Sequence, residues 1–475
     1  MLEERIKMNK NNIFKIEYIV VAIGAILSTS ECFLEVFNRD TSITYIYIAQ
    51  LFFFFFVSYI STIRRAGVLH IFSLLHLTTF VFAFGGILVT PFTDVVSFRE
   101  SHSPLPMTFT ENVVQKIIIL YTVYVCTTYL FYWGLIDYKE LGRKGLCKLE
   151  TNEKYLKLAK YTMLITLPFA IYYSILQFQI VAAEGGRTAL YAAGGNDAIG
   201  VPIYVRIPNM FFTASFYILI ASCPPKKDFI KYLLIYFITL VPILLMGERG
   251  EVIVPIIFTL WYMKSNYNIK INYVKLGALA LAIMAVAYII TFTRLGDDVG
   301  ELSTLIIITG FLGTSATSFS LLGYYITYKD QIMPHSYPFV FDSFLGGMTG
   351  YSGQSLETLE HRASIGHHLV YTLNPNYYLS GASTGTSYLT ECYEFGLFGV
   401  ILGAFVLALF MIFIDYKMRK SYYMMVFLFL LFSNIILSPR GSLFLGIYDI
   451  IKYSLILLVL TWVYTIIHKK KNISD

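Results

Sequence analysis

The chain has 475 residues, of which 56% are hydrophobic and only 14% charged, where an ordinary soluble domain carries roughly a quarter charged residues. Together with a mean hydropathy of +0.64, this excludes a water-soluble enzyme and points to an all-α polytopic integral membrane protein. The net charge of +6 does not indicate a nucleic-acid partner, because the basic residues fall in short clusters between apolar runs and so report topology.

Apolar runs of about 20 residues are long enough to cross a hydrocarbon core roughly 30 Å thick. In chain order they lie near residues 17–37, 43–62, 69–90, 114–136, 158–180, 204–222, 230–246, 251–263, 274–293, 388–414, 422–438 and 443–467, so about twelve transmembrane helices are expected. The first follows a mildly basic N-terminus as a signal would, but a second apolar run comes almost at once, and it reads as an uncleaved span. Cys32, Cys126, Cys147, Cys223 and Cys392 show no Cys-x-x-Cys spacing and indicate neither a disulfide framework nor a zinc site. The loop from Ala182 to Asp197 is rich in glycine and small residues, which allows tight turns and close backbone approach to a ligand. The seventh and eighth runs, parted only by Gly247-Glu248-Arg249-Gly250, read as a tilted hairpin or as partly broken helices.

With the N-terminus inside, 25 of the 36 Lys and Arg residues fall in inner segments. Short basic segments stay in the cytoplasm, so both termini are expected there. Residues 303–328 are also apolar, but a crossing there would carry the Asp415–Lys420 loop and Lys469–Lys471 outside. The segment is therefore expected to pack against protein at the outer face. What results is a single membrane domain, residues 1–475, with one large extracytoplasmic loop at residues 294–387 forming a lid and wall.

Arginine within a bilayer costs at least about 2.5–3.5 kcal/mol on insertion scales, so it is paired, snorkelling or functional. Arg206, Arg249, Arg294 and Arg440 all fall on the expected outer side. Pairing is the simpler explanation for any one of them, Glu248 or Glu251 for Arg249 and Asp297 or Asp298 for Arg294. What favours function is that the turns carrying Arg249, Arg294 and Arg440 share one face, where planar guanidinium groups suit phosphate oxygens. Glu31 and Glu35 share a helix face but sit where solvent or Arg39 can satisfy them. His335, His361, His367 and His368 show no metal-binding helix pattern, and Asp297, Asp298 and Glu301 read first as partners of Arg294. No metal site and no cofactor are expected.

At these residues the sequence resembles the Wzy-type polymerases of bacterial O-antigen, capsule and exopolysaccharide repeat units. The features that carry the resemblance are Gly247-Glu248-Arg249-Gly250 leading into an apolar helix, Arg294 ending a span, and the small-residue run before Ser387-Tyr388-Leu389-Thr390-Glu391-Cys392-Tyr393. Phe395-Gly396-Leu397-Phe398-Gly399 and the late Arg440 complete them. The resemblance covers roughly residues 200–445, and the preceding spans match only in being hydrophobic. It implies a GT-C-like membrane glycosyltransferase in the cytoplasmic membrane, its active site facing outward. Donor and acceptor would both be undecaprenyl-diphosphate-linked oligosaccharides, with a flippase and a chain-length regulator of the same pathway as partners besides membrane lipids.

The reaction implied suits the residues. A departing lipid diphosphate develops negative charge that Arg249, Arg294 and Arg440 can stabilise, and charge-assisted hydrogen bonds are worth about 1.5–3 kcal/mol each. The acceptor hydroxyl needs a general base, for which Glu391 is the first candidate and His367 the second. Glu391 can equally well neutralise an arginine or cap its helix. Tyr388 and Tyr393 are candidates to stack on sugar rings, or are interfacial belt residues. Two other functions fit the architecture: an O-antigen-ligase-like transferase, and a non-enzymatic flippase, although a flippase favours two similar halves and short outer loops.

Overall fold

The computed structural model describes residues 2–37, 40–89, 105, 108–136, 149–183, 201–246, 249–270, 272–295, 304–351 and 353–474. Helices account for nearly all of these, with no strand among them. The long helices are α1 (Leu2–Phe33), α2 (Thr41–Ala66), α3 (Ile71–Thr79, continued through a π turn at Phe80–Phe84 and Gly85–Val89), α4 (Glu111–Leu135), α5 (Glu153–Ala183) and α6 (Ile203–Ala221). They are followed by α7 (Lys226–Leu245), α8 (Arg249–Tyr267) and α9 (Tyr273–Leu295).

Among the described residues, 9 helices are long and apolar enough to cross a membrane, and the protein is a multi-pass membrane protein. Two expected spans fall short for different reasons. The apolar run of α8 is bounded by Glu251 in its first turn and Lys264 in its last. The other, near 422–438, divides into Tyr422–Met425 and Leu428–Leu437. That break survives because Met425, Val426, Phe427 and Leu428 are buried in protein, the setting in which non-helical backbone is tolerated at membrane depth. Residues 304–328 form two helices, α10 (Thr304–Ser315) and α11 (Thr317–Tyr328), interrupted at Ala316. Each is only about 18 Å long at 1.5 Å per residue.

The core is built around α4. Its run from Ile117 to Tyr129 is buried on every side, as expected of a helix that is hydrophobic all round. Within its apolar window 78% is buried, against 17% for Asp449–Ile466, which leaves its apolar surface for lipid. Threonine hydroxyls in the buried run bond back along their own helix, Thr122 to Ile118 O and Thr128 to Tyr124 O, so these polar atoms need no external partner. One end of α4 carries a buried cluster: Tyr132 Oη donates to Asp415 Oδ2 at 2.6 Å, and His70 Nε2 lies 3.3 Å from the same oxygen. His70 Nδ1 accepts from Phe72 N, so the proton sits on Nε2, facing the carboxylate. Among the described residues Cys32, Cys126 and Cys392 are free.

Candidate active site

The site centres on α15, the short helix Tyr388–Tyr393. For this helix the labels α12 (Leu356–His361), α13 (Ile365–Leu373) and α14 (Pro375–Leu379) precede it, and α16 (Gly396–Ile412) follows. The sequence placed residues 388–414 in one continuous span, but the chain turns at Gly396, whose φ of +64° suits a residue without Cβ. The span therefore begins at Gly396. Helix α15 folds back onto it because α16 presents glycine there. A Cβ on Gly399 would overlap the Cys392 carbonyl oxygen, and one on Gly403 would overlap the Cys392 sulfur.

Folding back places Glu391 inside the protein, 2% exposed. Its Oε1 accepts from Thr386 Oγ1 at 2.8 Å, and its Oε2 is buried without a directed hydrogen bond among the described residues. Burial pushes the carboxyl up to about 8, helped by the nearby Asp342 and Glu394 carboxylates and opposed by the Thr386 and Ser442 hydroxyls. At neutral pH Glu391 is mostly a neutral acid in this arrangement.

The turn from Ser438 to Ser442 closes over the same helix. Tyr388 N donates to Ser438 O at 3.0 Å, and Ser442 approaches the Glu391 carboxyl. Arg440, exposed at the tip of this turn, sets its guanidinium 5.5 Å from the centre of the Phe82 ring. Arg440 and Glu391 thus stand on two segments whose backbones are joined by the Tyr388–Ser438 hydrogen bond.

A second group of charges comes from the long loop. Arg362 holds Asp342 through both carboxylate oxygens, Nη2 to Oδ2 at 3.0 Å and Nε to Oδ1 at 3.4 Å, and Tyr337 Oη donates to Oδ1 at 3.0 Å. His368 Nε2 donates to the Arg362 carbonyl at 2.9 Å, which leaves its Nδ1 the bare acceptor, and that atom has no partner among the described residues. His367 Nδ1 is buried and likewise without a partner. Burial, then the positive charge of Arg362, lowers His367 to about 4, so the ring is neutral near pH 7. Glu394 joins this group to α15: its Oε2 accepts from Phe339 N at 2.7 Å and its Oε1 lies 3.6 Å from His335 Nε2. His361 stands apart, stacked 4.1 Å from Tyr351.

The remaining expected residues divide. Arg249 opens α8 and Arg294 is the penultimate residue of α9, but their side chains, like Asp297, Asp298 and Glu301, lie outside the described residues. Arg206 is exposed near the start of α6. Tyr388 was expected at a sugar-facing surface, yet it is 1% exposed, with its hydroxyl donating to Gly403 O at 3.3 Å. In this position its ring packs α15 onto α16. Tyr393 is half-buried, its ring 6.1 Å from Tyr325. Glu35 pairs with Lys116 at 3.5 Å, and Glu31 accepts from Gln50 Nε2 at 3.1 Å. Sequence reasoning missed Asp342 and Arg362. Their available signal was two opposite charges in an otherwise weakly charged loop.

No curated protein and no solved structure matches the chain. The family model described as O-antigen polysaccharide polymerase Wzy matches residues 16–472, nearly the whole chain and well beyond the segment that carried the sequence resemblance. The chain therefore belongs to the Wzy family of O-antigen polysaccharide polymerases.

Proposed function

We propose that this polymerase moves a glycan from undecaprenyl diphosphate onto the terminal sugar of a second lipid-linked repeat unit at the outer face of the cytoplasmic membrane. The topology that goes with this reading has about twelve spans in a GT-C-like architecture, both termini inside and residues 294–387 outside as lid and wall. The observation that carries it is the fastening of the Ser438–Ser442 turn, which bears Arg440, to the helix bearing the buried Glu391 carboxyl.

The acceptor hydroxyl attacks the anomeric carbon, the bond to the diphosphate oxygen breaks, and the leaving diphosphate takes the electron pair. Arg440, with Arg249 and Arg294, meets the charge that develops on phosphate oxygens. The hydroxyl proton passes to Glu391 or to His367. The two bases differ in pH behaviour, since a carboxyl at about 8 gives a rate rising with pH up to that value, whereas an imidazole at about 4 gives a rate already level at neutrality. A flippase and a chain-length regulator are the partners this reaction needs in the cell.

Replacement of Arg249, Arg294 or Arg440 by alanine is expected to abolish the ladder of surface glycan while single repeat units still reach the outside and the protein stays in the membrane. Full ladders from all three variants would defeat the diphosphate clamp. Loss of single units as well would favour a flippase.

A further inference from the structure

A cavity of about 290 Å³ opens where the end of α1 meets the start of α4, lined by Glu35, Phe37, Asn112, Val113, Lys116 and Ile326. Its volume is near the lower end of the range for small-molecule sites, about 300–1,000 Å³, enough for a single ring rather than an oligosaccharide. Three features describe what would fit. Lys116 is balanced by Glu35 at 3.5 Å, so the lining has no net charge to attract a phosphate or an acidic headgroup. The Asn112 amide oxygen is buried with no hydrogen-bond partner among the described residues, an acceptor that costs free energy until a donor arrives. Phe37 offers an apolar ring beside these polar groups, with Lys116 Nζ 5.7 Å from its centre. A neutral, hydroxyl-rich ring with one apolar face meets all three.

The cavity lies beside α15, since Tyr393 on that helix sets its phenol against the cavity-lining Lys116. Tyr393 and Glu391 are two residues apart on α15, about 200° around a helix, so they project from opposite faces. A helix with its side chains is about 10 Å across. A ring seated in the cavity is therefore not the reacting sugar.

We propose that this cavity is a distal glycan subsite, in which Asn112 accepts from a sugar hydroxyl, Phe37 stacks on the ring and the Lys116–Glu35 pair hydrogen-bonds its other hydroxyls. The assignment rests on the polymerase reading given above, and adds to it a place that selects the repeat unit away from the bond being made.

The test uses purified full-length protein in lipid nanodiscs and lipid-linked repeat units extracted from cells lacking the polymerase. Asn112→Ala, Phe37→Leu and Val113→Trp are compared with the parent for KM, kcat and melting temperature. Loss of one neutral hydrogen bond or stacking contact corresponds to a roughly five- to tenfold rise in KM, with kcat within about twofold, because no group at the reacting centre changes. An unchanged KM in all three folded variants overturns the subsite. So does a response confined to the anionic lipid content of the nanodisc, which would identify a headgroup site. If Val113→Trp fails to fold, the two milder variants decide the matter. An inactive parent protein would instead overturn the polymerase reading.

Discussion

Glu391→Gln separates the carboxyl's charge from its shape. The amide keeps an oxygen for the Thr386 hydroxyl but cannot ionise. In the native protein the carboxyl titrates at about 8 rather than at the ordinary 4.5. Between those pH values the unfolded chain has released a proton that the native state retains, so rising pH favours unfolding. At about 1.4 kcal/mol per pKa unit, the full displacement amounts to about 5 kcal/mol above pH 8, an upper limit because a little water entry relieves it. His367 and His368, whose pKa values burial lowers, act in the opposite sense. The unfolded chain binds more protons than the native one below about 6.5, so stability falls as pH drops toward 4. Both proteins share that acid limb, and their difference isolates Glu391. Thermal unfolding in detergent from pH 5 to 9 is expected to give nearly coincident midpoints at pH 5 and a variant more stable by several degrees at pH 8 and above. Parallel curves over the whole range would refute the buried, protonated carboxyl.

Gly403→Leu is expected to push Cys392 and α15 off α16, an overpacking cost of about 1–3 kcal/mol, seen as a lower melting temperature and a smaller yield of folded protein. Arg362→Ala removes the fork from Asp342 and with it the charge that helps depress His367. The His367 pKa should rise in a proton-detected titration, and stability should fall by about 1–3 kcal/mol, moderated by the partial exposure of the pair. Arg362→Lys, which lacks the planar fork, should restore the charge effect on His367 more fully than the stability.

How far these features were legible in the sequence follows from the range of the interactions that create them. Hydrophobic length found each long helix, because a helix that meets lipid must be apolar over its whole span whatever its neighbours are. It could not distinguish α4, buried in the middle, from the helix ending near Ser474, since both are equally apolar and only packing separates them. The join between α15 and α16 was hidden because Leu389–Ile412 is apolar apart from Thr390, Glu391 and Glu394, and the local traces were those carboxylates and Gly396 with Gly399 and Gly403 behind it. Tyr388 and Tyr393 look equivalent as residues. Which of them packs on Gly403 and which approaches Lys116 is fixed by where the helix folds back. The Arg362–Asp342 fork joins positions 20 residues apart, with no periodicity to announce it. Arg440 and Glu391 stand out in the sequence because charges next to apolar runs demand a reason, and the structure sets them on adjoining segments.

The turn at Gly396 has a mechanical consequence. Bilayers differ in thickness, and a span answers such differences by tilting. Helix α15 is tied to the Ser438 carbonyl at one end, through the Glu394 carboxylate to Phe339 at the other, and along its side to α16 by the Tyr388 hydroxyl on Gly403 O and the close fit of Gly399 and Gly403 against Cys392. A change in the inclination of α16 is therefore passed through that fit to the helix that carries Glu391, which couples the site to the elastic state of the surrounding lipid.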